Sequence, residues 1–312
     1  MTAHANAPTP ASPPAQGPSA QGPPAQGPLD GARPGRVRWA GVAMMLASGT
    51  ANQAGAAIGA LAFPVIGPAG VVAVRQWVAA AVLLAAGRPR PRSFTGAQWR
   101  LVLALAAVFA TMNLSLYTAV ARVGLGLAVT LEFLGPLAVA LAGSRRRADL
   151  GCALAAAGGV VALTRPEPSS DFTGLGLGLL AACCWAAYIL LNRAMGRTLP
   201  GAEGPAAAAG LSGLLFVPVG AAVLAAHPPT LAALACAGAA GVLSSAVPFL
   251  ADLLALRRVP ARFFGVFMSV NPVLAAGAGL LVLGQALHWT RWLGILTIVA
   301  ANLVTVLRDP RP

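Results

Sequence analysis

Long apolar segments separated by short breaks fill the chain from Trp39 almost to its end. A helix needs about 20 apolar residues to cross a hydrocarbon core roughly 30 Å thick. Lipid leaves no partner for the open edges of a sheet, and the segments lack the alternation of a membrane barrel. The sequence therefore predicts an all-α integral membrane protein with ten transmembrane helices, at 39–60, 68–87, 100–120, 124–143, 149–165, 173–192, 205–226, 230–251, 263–285 and 289–307.

The composition agrees with this fold class, except at the N-terminus. Of the 312 residues, 57% are hydrophobic and 9% are charged, whereas soluble domains have about 25% charged residues. Residues 1–37 are rich in Pro, Gly, Ala and Gln and cannot bury enough apolar surface to offset their chain entropy. We expect a disordered cytoplasmic tail there. The first apolar run begins too late for a cleaved signal peptide, so the tail should stay in the mature chain.

The arginines predict the orientation of the chain in the membrane. All 21 basic residues are arginine, and cytoplasmic loops are enriched in positive charge. With a cytoplasmic N-terminus, 17 arginines fall on the cytoplasmic side, Arg122, Arg165 and Arg291 fall outside, and Arg75 lies within the second predicted helix. We therefore expect a multi-pass protein of the cytoplasmic membrane with both termini in the cytoplasm. The net charge of +13 is explained as topology, and no nucleic-acid partner is expected.

A weak internal repeat relates the two halves of the apolar region. Shifting the chain by 136 residues aligns 117–140 with 253–276 and places Pro136 on Pro272. The fourth predicted helix then falls on the ninth, and an offset of five helices requires opposite orientations in the membrane. The sequence thus predicts an inverted five-plus-five repeat, with one half at 38–165 and the other at 173–308.

Four stretches of the chain carry a family resemblance, namely ALAFPVIGPAGVVAVRQ (60–76), VTLEFLGPLAVAL (129–141), CWAAYIL (184–190) and LSSAVPFLADLLALRRVPARFFGVFMSVNPVLAA (243–276). They resemble EamA-type transporters of the drug/metabolite transporter superfamily and, among these, the inner-membrane threonine/homoserine exporters. The resemblance covers nearly all of 39–307 and implies a carrier that exports a small amino acid. The chain departs from the family at Asn271-Pro272, where those exporters carry Glu-Pro, so any role of that carboxylate must be altered or taken by another group.

Glu132 is the acidic residue within the apolar stretch VTLEFLGPLAVA (129–140). A charge at the middle of a bilayer costs about 2.5 to 3.5 kcal/mol, so this side chain should face the bundle interior or a wet cavity. We favour a role in proton coupling or in binding a substrate ammonium group. A structural pair, for example with Arg75, and a lipid-facing or interfacial position are the alternatives. Arg75 could bind a carboxylate in bidentate fashion or could extend to the membrane interface.

Other polar residues inside the predicted helices are further candidates for substrate or proton contacts, although each alone is more often an interhelical hydrogen bond. Pro136 and Pro272 should break their helices as in discontinuous transporter helices, with an ordinary kink as an equal alternative. Gly55 and Gly59 form a GxxxG motif, to which we give no weight in a chain with 36 glycines. The polar residues inside the predicted helices are Asn52, Gln53, Asn113, Tyr117, Tyr188, Ser244, Ser245 and Asn271, of which we select Asn113, Tyr117, Tyr188, Ser244 and Asn271 as candidates.

Enzymatic and ATP-driven functions find no support in the sequence. The four cysteines form no CxxC motif and have no neighbouring His, so neither a metal nor another cofactor is expected. The chain has no phosphate-binding loop and no lysine. A secondary carrier of a small molecule remains, with protons as the expected coupling ion. Export of another metabolite or a cationic drug, and a membrane scaffold or receptor without flux, are the alternatives, and a homodimer in the lipid bilayer is left open.

Overall fold

The computed structural model describes residues 34–142, 171–199, 202–248 and 270–308, with five isolated residues between 151 and 159. Within these ranges every regular element is helical, so the predicted all-α class is confirmed there. Four of the described helices are long and apolar enough to cross a membrane, as expected for a multi-pass membrane protein. They are Phe63–Gly87, Gly96–Val123, Phe172–Met195 and Glu203–Ala226.

The described helices follow the predicted spans closely. The fourth span is split in two, and the eighth contains a π-helical segment, Val242–Ala246. Of the fifth predicted span only five residues are described, so the count of ten spans remains a prediction. The helices, numbered in chain order, are α1 (Pro34–Ala60), α2 (Phe63–Gly87), α3 (Gly96–Val123), α4 (Leu125–Glu132), α5 (Leu134–Ala142), α6 (Phe172–Met195), α7 (Glu203–Ala226), α8 (Leu231–Gly241), α9 (Asn271–Leu283) and α10 (Trp289–Arg308).

Proline and glycine set two of the helix boundaries. Helix α1 begins at Pro34, three residues before the predicted end of the tail, because proline fits the first turn of a helix. Residues 1–33 of the predicted tail lie outside the described residues. In α2, Gly67 adopts φ 64° and ψ 172° ahead of Pro68, so the first turn is separate from the long helix. The long part of α2 therefore begins at Pro68, where the second predicted span begins.

Polar contacts hold several helix ends together at one end of the bundle. Arg122, at the end of α3, forms an ion pair of 2.8 Å with Asp171, which also caps α6 by accepting from the Gly174 N–H. The Gly174 amide and then the Arg122 guanidinium hold the pKa of the Asp171 carboxyl below its usual value. Gln285, which follows α9, accepts from the N–H of Leu125 at the start of α4. The α3–α4 corner therefore lies beside the start of α6 and the end of α9.

Helices α2 and α7 form the most extensive helix pair in the described bundle. The Gln76 side-chain amide donates a hydrogen bond to the Ser212 hydroxyl between them. The helices approach closely where a glycine meets a small residue, since a Cβ on Gly87 would lie 2.5 Å from the Cβ of Ala206. This pairing joins residues far apart in sequence across the two predicted halves.

Gly55 and Gly59 bring α1 against α8 and the π-helical segment. A Cβ on Gly55 would lie 2.5 Å from the Ser244 hydroxyl oxygen, and one on Gly59 would lie 2.8 Å from the Cβ of Ala240. Small residues four apart allow helix backbones in membranes to approach in this way. Giving the motif no weight was therefore wrong, because both glycines face a neighbouring helix.

We predict that Gly59→Ala destabilises the folded protein while Gly238→Ala does not. A methyl group at position 59 has no room beside Ala240, and overpacking costs about 1 to 3 kcal/mol. No atom lies within 4 Å of a Cβ at Gly238 in α8, so alanine there should be neutral or stabilising through its helix propensity. Thermal unfolding in detergent checks both variants. Equal midpoints for the two would contradict the packing role of Gly59.

Candidate functional site

A cavity of about 300 Å³ lies within the bundle, bordered by α1, α2, α3, α4, α6 and α7, by the segment that follows α8 and by the start of α9. All seven residues that the sequence offers as substrate or proton contacts line it, although they come from six separate parts of the chain. Their functional roles remain predictions, but the fold brings them to one place. These residues are Glu132, Arg75, Asn271, Asn113, Tyr117, Ser244 and Tyr188.

Glu132 is the last residue of α4, and the helix breaks directly after it. Phe133 separates α4 from α5, and the Glu132 side chain is 6% exposed. Pro136 explains the position of the break, because it has no N–H to donate to the carbonyl of the residue four earlier, which is Glu132. Pro136 therefore disrupts the helix one turn earlier, at Glu132, whose side chain lines the cavity.

Pro272 lies in the first turn of α9, directly after Asn271. Proline is well tolerated there because the first N–H groups of a helix have no partner within it. Residues 251–269 lie outside the described residues, so whether Pro272 interrupts a longer helix stays a prediction. Among the described lining residues of the cavity, neither Pro136 nor Pro272 appears.

Arg75 is held inside the bundle by two other helical segments. Its Nη1 donates to the Asn113 side-chain oxygen, and its Nη2 donates to the Ser244 backbone carbonyl at 3.3 Å. The guanidinium carbon also lies 5.0 Å from the centre of the Tyr117 ring, within the range of a cation–π interaction. Arg75 therefore faces the cavity, and the alternative in which it extends to the membrane interface is wrong.

Asn113 positions Arg75. Its side-chain nitrogen donates to the Phe109 carbonyl one turn earlier in α3, at 2.8 Å. That bond orients the amide, so the oxygen points to Arg75. Both polar groups of Asn113 are thereby used within the protein, which favours a supporting role over direct contact with a ligand.

The π-helical segment Val242–Ala246 supplies the second acceptor for Arg75. The N–H of Val247 bonds to the carbonyl of Val242, five residues earlier, which is the register of a π-helix and is common at functional sites. Within the segment, the Ser244 hydroxyl donates to the Asn52 carbonyl of α1 at 2.8 Å. No motif in the sequence predicts this altered register.

Arg75 and Glu132 share the cavity without forming an ion pair. Among the described residues, the ion pair that the structure contains joins Arg122 to Asp171 and does not involve Arg75 or Glu132. Arg75 turns instead to Asn113 and to the π-helical segment. The expectation of a direct structural pair between Arg75 and Glu132 is therefore wrong for this conformation. A carboxyl group and a guanidinium therefore line one cavity without an ion pair between them.

The cavity also contains an aromatic residue to which the polar pattern of the sequence does not point. The Trp185 ring packs edge-on against Phe133 with 4.5 Å between ring centroids, and Tyr188 lies three residues later on α6. The signal for Trp185 is the CWAAYIL stretch, which carries the family resemblance. Gln53, a polar residue inside the first predicted helix, also lines the cavity, and its side-chain amide donates to the Asn271 oxygen at 3.3 Å.

Comparison with known proteins gives one family match and several close relatives. A family model described as "EamA-like transporter family" matches residues 172–307. The threonine/homoserine exporter RhtA of Salmonella typhimurium (strain LT2) is 34% identical over 291 residues, which cover 89% of this chain and 97% of that protein. The protein of the same name from Escherichia coli (strain K12) is 34% identical over 284 residues, or 88% and 95% of the two chains.

A solved structure supports the fold alone. It is described as the crystal structure of a protein and superposes with a TM-score of 0.58 at 20% sequence identity. The match covers 88% of this chain and 99% of that chain. The arrangement of helices is therefore shared over nearly the whole length.

We predict that Asn113→Leu destabilises the protein more than Ser115→Ala, a matched change on the same helix. Leucine removes the acceptor for Arg75, and a hydrogen bond to a charged group contributes about 1.5 to 3 kcal/mol. The Ser115 hydroxyl donates only to carbonyls of its own helix, a neutral bond worth about 0.5 to 1.5 kcal/mol. Thermal unfolding of both variants in detergent is the measurement. A larger loss for Ser115→Ala would contradict the positioning role of Asn113.

Proposed function

Because the chain belongs to the EamA-like transporter family, we propose that it is a secondary active carrier that exports small amino acids such as threonine and homoserine in exchange for protons. The cytoplasmic membrane is its site of action. The family membership rests on 34% identity over nearly the full length of exporters from two bacteria. The finer statements on cargo and coupling rest on the chemistry of the cavity.

The observation that carries this proposal is that the carboxyl group of Glu132 and the guanidinium of Arg75 line one cavity without an ion pair between them. An amino acid at neutral pH has one carboxylate and one ammonium group. Arg75 offers a planar fork suited to the carboxylate, and Glu132 offers an acceptor suited to the ammonium group. Since Asn113 and the Ser244 carbonyl hold Arg75 in place, the two charges stay free to bind the two ends of one cargo molecule.

The size of the cavity favours a small cargo. Its volume of about 300 Å³ lies at the lower end of the range of roughly 300 to 1,000 Å³ for small-molecule sites. The relatives named above are described as threonine/homoserine exporters, and these cargoes carry a hydroxyl group that polar walls can bind. Asn271, Tyr188 and Ser244 line the cavity, and we assign the hydroxyl of the cargo to this group.

Glu132 is our candidate for proton coupling. A carboxyl that binds a proton in one state and a cargo ammonium group in the other links the two fluxes, because both compete for the same oxygens. The break after Glu132, caused by Pro136, adds backbone polar groups at the same depth, as in discontinuous transporter helices. Pro272 is assigned the equivalent role in the other half.

A second cargo class is favoured by the aromatic wall of the cavity. Phe109, Trp185 and Tyr188 all line it, and aromatic faces attract cations. An exporter of a different metabolite or of a cationic drug would use these rings with Glu132 and would not need Arg75. The dependence of flux on Arg75 therefore separates the two cargo classes.

We further propose ten transmembrane helices arranged as an inverted repeat, with halves at 38–165 and 173–308 and a disordered tail at 1–37. The match of the family model to 172–307 supports the boundary of the second half. The contacts of Arg122 with Asp171 and of Gln285 with Leu125 support this scheme, because they join helix ends that it assigns to the same side of the membrane. The excess of arginines on the other side supports cytoplasmic termini.

The orientation predicts which positions a membrane-impermeant thiol reagent can reach in intact cells. In a cysteine-free background, a single cysteine at position 65 should be labelled from outside, and one at position 309 should be labelled only after the cells are opened. Residue 309 follows the last predicted helix and residue 65 follows the first. Labelling of position 309 in intact cells would overturn the assignment.

Flux in liposomes tests the cargo and the coupling together. We predict that purified protein moves threonine and homoserine against their gradient when a proton gradient is imposed, and that Glu132→Gln abolishes this uphill movement. Glutamine keeps the shape of the side chain but cannot exchange a proton. Arg75→Gln should reduce flux of amino acids while sparing cationic cargo. Uphill transport by a stable Glu132→Gln protein would rule out the coupling role, and an absence of flux for every cargo would favour the scaffold.

Unfolding of the same variants excludes a structural cause for lost flux. Breaking a buried ion pair costs about 3 to 5 kcal/mol, but Glu132 and Arg75 are not paired here. Glu132→Gln should therefore unfold close to the wild-type temperature. A large loss of stability that is restored by adding Arg75→Gln would instead identify a structural pair.

A further inference from the structure

We infer that α2 and α7 cross on the two-fold axis of the inverted repeat and form the contact that stays unchanged while the carrier switches between its inward-open and outward-open states. This inference rests on the proposed carrier function and on its inverted repeat. It assigns a pivot to the Gln76–Ser212 hydrogen bond, which nothing in the cargo chemistry requires.

The argument uses the shift of 136 residues that relates the two halves. In an inverted-repeat carrier, the opposite state is obtained when the two halves exchange conformations. A contact between residue i of the first half and residue j of the second then becomes a contact between residues j − 136 and i + 136. A contact that maps onto itself is present in both states and lies on the axis.

The Gln76–Ser212 hydrogen bond is such a contact. The two residues are 136 positions apart, so the exchange of halves turns the pair into itself. Both side chains are buried, and the bond joins the most extensive helix pair in the described bundle. The shift came from an alignment of 117–140 with 253–276, so the agreement at 76 and 212 is independent of the residues that defined it.

The contacts on either side of Gln76 obey the same rule. Gly87 lies against Ala206, and the exchange maps this pair onto Gly70 and Val223. That second contact is also present, since a Cβ on Gly70 would lie 3.2 Å from a Val223 methyl carbon. The face between α2 and α7 therefore satisfies the symmetry at both ends and does not need to rearrange between states.

A contact between α4 and α9 does not map onto itself. Gly126 lies against Ala276, with 3.0 Å from a Cβ on the glycine to the Cα of the alanine. The exchange maps this pair onto positions 140 and 262, which the proposed topology places towards the other end of the bundle. The contact at Gly126 should therefore part when the carrier opens at the end that carries Arg122 and Asp171.

Cross-linking of paired cysteines tests the pivot. In a cysteine-free background, one variant carries Gln76→Cys with Ser212→Cys, and the matched control carries Gly126→Cys with Ala276→Cys. Each pair is bridged with the shortest bis-methanethiosulfonate reagent, and flux in liposomes is compared with that of the same unbridged variant. The bridge at 76 and 212 should leave flux within about twofold, whereas the bridge at 126 and 276 should stop it until a reductant is added. Loss of flux on bridging 76 to 212, or full flux with 126 bridged to 276, overturns the inference.

A distance measurement keeps the test independent of the cargo. Spin labels on the lipid-facing sides of α2 and α7 near their crossing should give one distance in liposomes by electron paramagnetic resonance. Labels at the ends of α4 and α9 near Gly126 should give two distances, and the fraction of molecules at each distance should change with pH. Two distances at α4–α9 without threonine or homoserine flux would retain the pivot and reject the proposed cargo. One distance at both places, or two at α2–α7, would reject the pivot.

Discussion

A guanidinium inside the bundle is the constraint on which the interior of this protein depends. A cation in a hydrocarbon environment needs hydrogen-bond partners from the protein, because none come from lipid. Arg75 obtains two of them, from Asn113 on α3 and from the Ser244 carbonyl beyond α8, and it lies against the Tyr117 ring. Three helical segments are thus fixed around one side chain. Neither hydrogen bond uses Glu132, so the carboxyl group shares the cavity with Arg75 without an ion pair between them.

The helices are irregular where they meet the cavity. Helix α4 ends at Glu132 because Pro136 cannot bond its carbonyl, and α8 passes into a π-helical segment at Val242–Ala246. Backbone groups outside a regular helix are unfavourable in lipid but are tolerated beside a polar cavity. The irregularities and the cavity therefore depend on each other. A regular helix at either place would present different backbone groups to Arg75 or to Glu132.

The length of the apolar segments and the placement of charged residues were enough to predict the helices and to identify the candidate site residues. The predicted spans agree with the described helices because a hydrocarbon core fixes the length of a helix, and Glu132 and Arg75 stood out because charges are rare in such segments. The partners of Arg75 could not be predicted, since they depend on the rotation of α3 and on the π-helical register at Ser244. The packing role of Gly55 and Gly59 could not be predicted for a related reason, because the spacing of glycines does not say which helix packs against them.

The inferred axis also explains how one binding group can serve both sides of the membrane. Arg75 directly precedes Gln76, which lies on the axis, so its position changes least when the halves exchange. The guanidinium therefore does not need to travel across the hydrocarbon core. The movement that exposes the cavity to one side or the other can be confined to helix ends such as those near Gly126.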